Sequence, residues 1–361
     1  MDDLLRYTWW LSLITLTGYA LFVFRIRIRR PSMTNPEHLP PVSIVIAVKN
    51  GYDFLSQNLP AVTKQTYPEF EIILVDDHSD PEEIKKTAAM VFHLPGVLLF
   101  HSDRPPGKKN ALALGIEKAK YDLILCTDAD CRPAGPRWIE MMVAHQDNGS
   151  IVLGYSPHAE APGILNAFIR FETIMTGMQY LSWGSLGRPY MGVGRNLLYP
   201  KALFLQVQQK QKGQSMPYGD DDLFVQAARS RSASRISLHP DTFVYTLPAS
   251  GWRQWIKQKH RHMSAGRFYG WGSWWQPGMF GAALILHWSL LIPLLLFSFN
   301  GWIMAAGGVG LLLRWWIYSR WAVQLWDTKA VKIYPVYEIG YTGYILLMGM
   351  MTLMKRKNTW N

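Results

Sequence analysis

Two kinds of hydrophobic pattern alternate along the chain. The first is the long uncharged run: Tyr7 to Phe24 (YTWWLSLITLTGYALFVF) carries no charge and, at about 1.5 Å per helical residue, nearly crosses a hydrocarbon core of roughly 30 Å. Met279 to Phe299 repeats the theme, with Pro293 tolerated where neighbouring helices satisfy the backbone. Gly301 to Tyr318 is a further spanning candidate weakened by Arg314, and Val336 to Met354 contains Glu338 and runs into KRK. The second kind is short. VSIVIAV (Val42 to Val48) and FEIILVDD (Phe70 to Asp77) read as buried strands from their length and β-branching, and helical spacing over Asp53 to Gln65 lies between them. Gly96 to Ser102 and Tyr121 to Asp128 add two more strands around the helical pattern ALALGIEKAK. This βαβ order predicts an α/β domain with a mostly parallel sheet and helices on its faces.

The same patterns set the expected boundaries: an N-terminal membrane anchor over 1–30, an α/β domain over 40–250, an interfacial helix region over 251–275 and C-terminal membrane segments over 279–361. A proline-rich linker, Pro31 to Pro41, leads into the domain. Composition strengthens the membrane expectation, since 49% of the 361 residues are hydrophobic and the apolar residues gather at the two ends. The first run starts MDD and ends in RIRIRR, which suits an anchor better than a cleaved signal peptide. Arg25, Arg27, Arg29 and Arg30 follow it directly, so the positive-inside rule places the α/β domain of an integral membrane protein in the cytoplasm. Three full C-terminal spans would put Lys355, Arg356 and Lys357 outside, against that rule; the last segment is therefore expected to lie in the interface.

The net charge of +11 does not call for nucleic acid. Many of the basic residues flank apolar runs, where lipid headgroups meet them, and no aromatic-plus-glycine RNA-binding signature is present. The chain has 2 cysteines, Cys126 and Cys131, too few for a structural zinc site and suited to reduced cytosolic thiols. AVKNGYD stands at the first strand turn in place of a P-loop or glycine-rich dinucleotide fingerprint, which argues against nicotinamide cofactors.

Chemistry concentrates where acidic residues leave the strands. Asp76 and Asp77 end the second strand, Asp128 and Asp130 (TDAD) the fourth, and parallel order puts both pairs on one rim, where ligands of such sheets gather. Ionised carboxylates beside an apolar run need cations or donors. A D-x-D pair suits a hard divalent ion sharing its shell with phosphates, although acidic strand ends are also often merely solvated. PYGDDDLFV offers Asp220, Asp221 and Asp222 before a helical start; one N-cap aspartate would not need three carboxylates. In WRQWIKQKHRHMSAGRFY, helical spacing makes Trp255, Gln258, Arg261 and His262 neighbours, with a basic lipid-binding helix as the competing reading.

Taken in order, VSIVIAV, VDDHSDPEE, GKKNALALGI, TDAD, GRN, GDDDLFV and QKHRH resemble the family 2 glycosyltransferases, and within them the membrane-embedded branch marked by three aspartate motifs and Q-x-x-R-W. The resemblance covers roughly residues 40 to 270. It implies a GT-A fold flanked by transmembrane helices, a nucleotide-sugar donor (UDP class), Mg²⁺ or Mn²⁺, and inverting transfer. By position it implies that Ala47, Asp77, Lys108, Asp128, Gln258 and Arg261 bind the donor and that Asp130 is the metal ligand. The base is Asp220 or Asp221, depending on whether Leu223 or the D-D pair anchors the alignment. Arg195, Asn196, Asp222 and His262 fall on the acceptor side. His262 replaces the family tryptophan, which favours a single transfer to a lipid-linked or other membrane-associated acceptor. The alternatives are a processive polysaccharide synthase, for which three or four candidate spans are few, and a catalytically inactive assembly subunit, against which every aspartate motif is present. A transporter has no place for so long a central domain.

Overall fold

The computed structural model describes residues 2–25, 39–147, 149–210, 220–297 and 300–353. Arg27, Arg29, Arg30, Lys355, Arg356 and Lys357, on which the topology expectation leaned, lie outside the described residues, as does the linker up to residue 38. The chain divides into an α/β unit drawn from Ile28–Ala159 and Gly184–Leu247 and a helical unit drawn from Met1–Arg27, Glu160–Trp183 and Pro248–Asn358.

In chain order, α1 (Asp2–Gly18) precedes β1 (Val42–Val48), α2 (Tyr52–Thr63), β2 (Phe70–Asp76), α3 (Pro81–Val91), β3 (Val97–His101), α4 (Lys108–Lys118) and β4 (Leu123–Cys126). Then come β5 (Cys131–Pro133), α5 (Trp138–Ala144), β6 (Ile151–Leu153), α6 (Ile164–Ser185), β7 (Leu197–Pro200), α7 (Lys201–Lys210), α8 (Asp220–Ala228), β8 (Ser234–Ile236) and β9 (Val244–Thr246). The chain closes with α9 (Trp252–Ser264), α10 (Trp271–Phe297), α11 (Gly301–Gln324) and α12 (Tyr334–Leu353).

The α/β unit is built on a mostly parallel central sheet, as expected. Its main sheet runs β3-β2-β1-β4-β7-β6-β8, and β5 pairs with β9 in a small second sheet. β1 is parallel to β2, with Val48 opposite Asp76, and to β4, with Val45 opposite Cys126. The four expected strands are β1 to β4, each within a residue or two of its expected limits. β1, β2 and β4 are continuous apolar runs because both faces are covered, whereas β3 lies at the edge and is only half-buried; Ile44, Ile46, Ile72, Leu74 and Leu125 all belong to one core cluster. Helix α4 lies close on this sheet at Gly115, where a Cβ would come within 2.6 Å of Val45 Cγ1 and 2.9 Å of Val75 Cγ2. Strand β7 then reverses direction, with Leu197 opposite Cys126. The carboxyl ends of β1, β2 and β4 and the amino end of β7 therefore share one rim.

In the helical unit the four expected apolar runs form helices over their described residues. Among the described residues one helix, α10, is long and apolar enough to cross a membrane; its 27 residues span about 40 Å. It begins eight residues earlier than expected, at Trp271, and Phe299 lies outside the described residues. The other three fall short of that measure: α1 is a regular helix for 17 residues before a π-helical turn at Tyr19–Val23, α11 carries Arg314, and α12 carries Glu338 among its glycines and tyrosines. The two charges that blemish α11 and α12 meet each other. Arg314 Nε donates to Glu338 Oε1 at 2.9 Å, and both side chains are 0% exposed. Trp9 and Leu13 of α1 pack with Leu291, Leu294 and Ile303. The outer faces remain apolar, with Leu11, Ile14, Leu296, Val309, Leu312 and Met350 exposed.

Candidate active site

The rim is assembled by a chain of contacts that begins at Asp77. This carboxylate is 1% exposed, and both its oxygens accept the Gly107 N–H, at 2.9 and 3.0 Å. Gly107 has φ +151, a conformation that L side chains rarely adopt, so the loop can present its amide this way only with glycine here. Its neighbour Asp76 accepts the Ser79 N–H at 3.4 Å, as a cap of the strand-end turn would.

Gly107 hands the chain to Lys108, the first residue of α4, whose ammonium lies 2.5 Å from Asp128 Oδ1. The pair is partly covered, at 34% and 24% exposure. Burial works against the Lys108 charge, but the carboxylates of Asp128, Asp221 and Asp130 outweigh it and hold its pKa above the ordinary lysine value. Lys108 thus stands among three of the expected carboxylates, Asp128, Asp130 and Asp221. Asp221, on the first turn of α8, accepts the Gly194 N–H at 2.6 Å and so ties α8 to the loop before β7. Gly194 has room only for hydrogen, because a Cβ would meet Asp221 Oδ2 at 2.7 Å. Asp220 opens α8, but its side chain lies outside the described residues; Asp222 is half-buried.

Asp128, Asp130 and Cys131 present ligand atoms that all lie within 4.8 Å of one another. The donor set suits a hard cation such as Mg²⁺ or Mn²⁺ through its two carboxylates. Cys131 contributes differently: burial and the neighbouring Asp130 push its thiol up, and it donates to Asp130 Oδ1 at 3.3 Å, orienting that carboxylate. Cys126 is likewise inert, pushed up to about 12 by burial and 3.1 Å from the Tyr199 hydroxyl. Tyr199, Asp221 and Gly194 belong to the lining of a mostly apolar cavity of about 80 Å³ among α4, β4, β7, α7 and α8.

On the β7 side, Arg195 Nε donates to Ser156 Oγ at 2.7 Å, and its charge acts on Cys131. Asn196 does not face the cleft. It is 0% exposed, its Oδ1 accepts the Trp138 indole N–H at 3.0 Å, and its Nδ2 donates to Tyr155 O and Thr242 O at 2.8 and 2.7 Å. Ala47 is half-buried near the end of β1. Gln258, Arg261 and His262 belong to α9 in the helical unit. There Trp255 is buried between Phe168, Trp252 and Tyr344, Gln258 and Arg261 are half-buried, and His262 is exposed. Lys259 reaches the buried Glu172 of α6. Sequence reasoning missed Gly107, Ser156 and Trp138. Only Gly107 left a local signal, as the glycine of PPGKK.

Comparison with known proteins names the domain. Residues 43–175 match the family model Glycosyl transferase family 2. Over these residues the chain is similar to family 2 glycosyltransferase domains. A poly-β-1,6-N-acetyl-D-glucosamine synthase of Staphylococcus aureus (strain MSSA476) is 29% identical over 135 residues, 35% of this chain and 32% of the synthase. An uncharacterized glycosyltransferase of Haemophilus influenzae is 31% identical over 93 residues, 26% of this chain and 37% of that protein. The chain thus spans about a third of the length of these curated relatives. Among solved structures, the mannosyltransferase PcManGT of Pyrobaculum calidifontis, in complex with GDP-Man and Mn²⁺, superposes with a TM-score of 0.55 at 15% identity, over 89% of this chain and 97% of that one. The likeness establishes the fold. The family 2 match ends inside α6, so Gly194, Arg195 and Asp221 lie beyond it.

Proposed function

We infer that the protein is an inverting glycosyltransferase that moves a sugar from a nucleotide diphosphate sugar of the UDP class to a membrane-associated, lipid-linked acceptor. The observation that carries the reading is the convergence of Lys108, Asp128, Asp130 and Asp221 on the carboxyl rim of a family 2 domain. Asp128 and Asp130 would hold the divalent cation, which when bound offsets the negative charge of the departing diphosphate. Lys108 contacts the same diphosphate, and Ala47 with the Asp77–Gly107 clamp shapes the nucleoside end.

Asp221 is the base of this reading. One oxygen is fixed by the Gly194 N–H, which leaves the other to take the proton of the acceptor hydroxyl as that oxygen attacks the anomeric carbon. A single displacement inverts the anomeric configuration. Arg195, Asp222 and His262 are assigned to the acceptor, Gln258 and Arg261 to the diphosphate. Asn196 is reassigned from acceptor contact to holding the loop that carries Gly194 and Arg195. The apolar outer faces of α1, α10, α11 and α12 support a bilayer environment for the helical unit, since contiguous exposed apolar surface of this extent seeks a partner.

A second reading, processive synthesis, is favoured by one observation: the curated relative matched over 135 residues is named as a polymer synthase. His262 at the tryptophan position favours single transfer. The test of both is nucleotide release by the purified full chain from a panel of UDP- and GDP-sugars with Mg²⁺ or Mn²⁺, followed by product length on a gel. Asp130→Ala and Asp221→Asn should each lower the rate at least about 100-fold. Release that ignores both substitutions would end the enzymatic reading; a ladder of products would replace single transfer with polymerisation.

A further inference from the structure

We propose that Lys108 is the resident counter-ion of the acidic rim, and that its ammonium leaves Asp128 for the donor diphosphate when a divalent cation is taken up. The inference rests on the reading of Asp128 and Asp130 as cation ligands. Three observations lead to it. The ammonium lies 2.5 Å from Asp128 Oδ1, one of the oxygens in the candidate ligand set. Asp130, the second carboxylate of that set, and Asp221 also act on its charge, so this single side chain offsets part of the negative charge that a divalent ion would meet. Its backbone is pinned at the preceding residue, where the Gly107 N–H is held by both oxygens of Asp77.

The consequence is a built-in coupling. A divalent ion and an ammonium that share Asp128 repel each other, so a cation approaching the nucleotide-free rim must first dislodge Lys108. A nucleotide diphosphate changes the balance because it brings negative charge of its own. Lys108 can then swing its four-carbon stem from Asp128 to the diphosphate about a fixed backbone, and the carboxylate is left to the metal. Each ligand thereby raises the affinity for the other by the same factor. Without nucleotide Lys108 occupies Asp128 and weakens the affinity of the rim for metal, which keeps the domain from binding a cation that has no donor to work on.

The test measures Mn²⁺ binding to the full chain in detergent, by the electron paramagnetic resonance signal of free Mn²⁺, with and without UDP or GDP. In the wild type, nucleoside diphosphate should tighten Mn²⁺ binding at least tenfold. Lys108→Met and Lys108→Gln should bind Mn²⁺ at least tenfold more tightly than the wild type without nucleotide, and the nucleotide should then add little. Lys108→Arg keeps the charge and should behave as wild type, which also covers the case in which a neutral variant fails to fold. Asp130→Ala should abolish Mn²⁺ binding in every background. If the neutral variants bind Mn²⁺ no better than wild type while Asp130→Ala loses it, the Lys108 inference falls and the cation site stands. If nucleotide leaves wild-type Mn²⁺ affinity unchanged, the coupling is refuted directly. If Asp130→Ala binds Mn²⁺ as the wild type does, the cation reading fails and takes this inference with it.

Discussion

Asn196 offers the sharpest separation of structural from binding roles, because its sequence context and its surroundings point to different jobs. Replacing it with alanine removes the acceptor of the Trp138 indole N–H and the donor to Tyr155 O and Thr242 O. Tyr155 O keeps a partner, the Val244 N–H at 3.3 Å, so two buried groups are left wanting. Each orphaned group costs about 1–3 kcal/mol. The vacated space faces Gly154, whose missing Cβ would stand 2.4 Å from the Asn196 amide, so the site cannot collapse without moving the backbone. A destabilisation of about 3 kcal/mol follows, the lower middle of the summed range. For a unit of this size that lowers the apparent Tm by roughly 6–12 °C. The assay is thermal unfolding of the detergent-solubilised full chain beside initial-rate kinetics at varied acceptor. A variant that keeps the wild-type Tm within about a degree while the acceptor KM rises several-fold would refute the reasoning and return Asn196 to the acceptor.

Three further outcomes are expected. Glu338→Gln strands the Arg314 guanidinium without its counter-charge and should destabilise the helical unit by about 3–5 kcal/mol in thermal unfolding, whereas Arg314→Met combined with Glu338→Leu should recover most of the loss; equal damage from the pair and the single variant would contradict this. Glu172→Gln frees Lys259 and loosens α9, which should speed tryptic cleavage at Arg253 and Lys257 several-fold; an unchanged cleavage rate would show that Trp255 and its aromatic neighbours hold the helix alone. Burial lowers the His145 pKa from 6.5, so the folded chain binds fewer protons there than the unfolded one, and the stability this group contributes is lost as pH falls below about 6.5. His145→Gln should flatten the pH dependence of Tm on that acid side; a steeper dependence in the variant would reverse the sign.

What could be read from the sequence follows from how local each signal is. Strands β1, β2 and β4 stand out because burial on both faces demands unbroken β-branched runs, and the aspartates stand out because carboxylates at the end of such a run need a reason. Strands β5, β6, β8 and β9 are three residues each, too short to carry a period. Asn196 was legible only as part of a loop pattern, since its decisive partner Trp138 is 58 positions away on another element. Arg314 and Glu338 each read as a defect in an apolar run, because a one-dimensional pattern cannot show two defects cancelling across helices. Motif spacing fits Asp220 and Asp221 alike; the contact of Asp221 with the Gly194 N–H spans 27 positions and leaves no mark in the motif.

The Arg314–Glu338 pair also bears on how the chain is made. The two residues are 24 positions apart, so at about 5–20 residues per second the ribosome delivers the guanidinium roughly one to five seconds before its partner. In the bilayer proposed above, α11 arriving alone would hold an uncompensated arginine at a cost of about 2.5–3.5 kcal/mol on insertion scales. The pair therefore favours release of α11 and α12 into lipid as one hairpin, with the nascent chain waiting at the translocon until both are present.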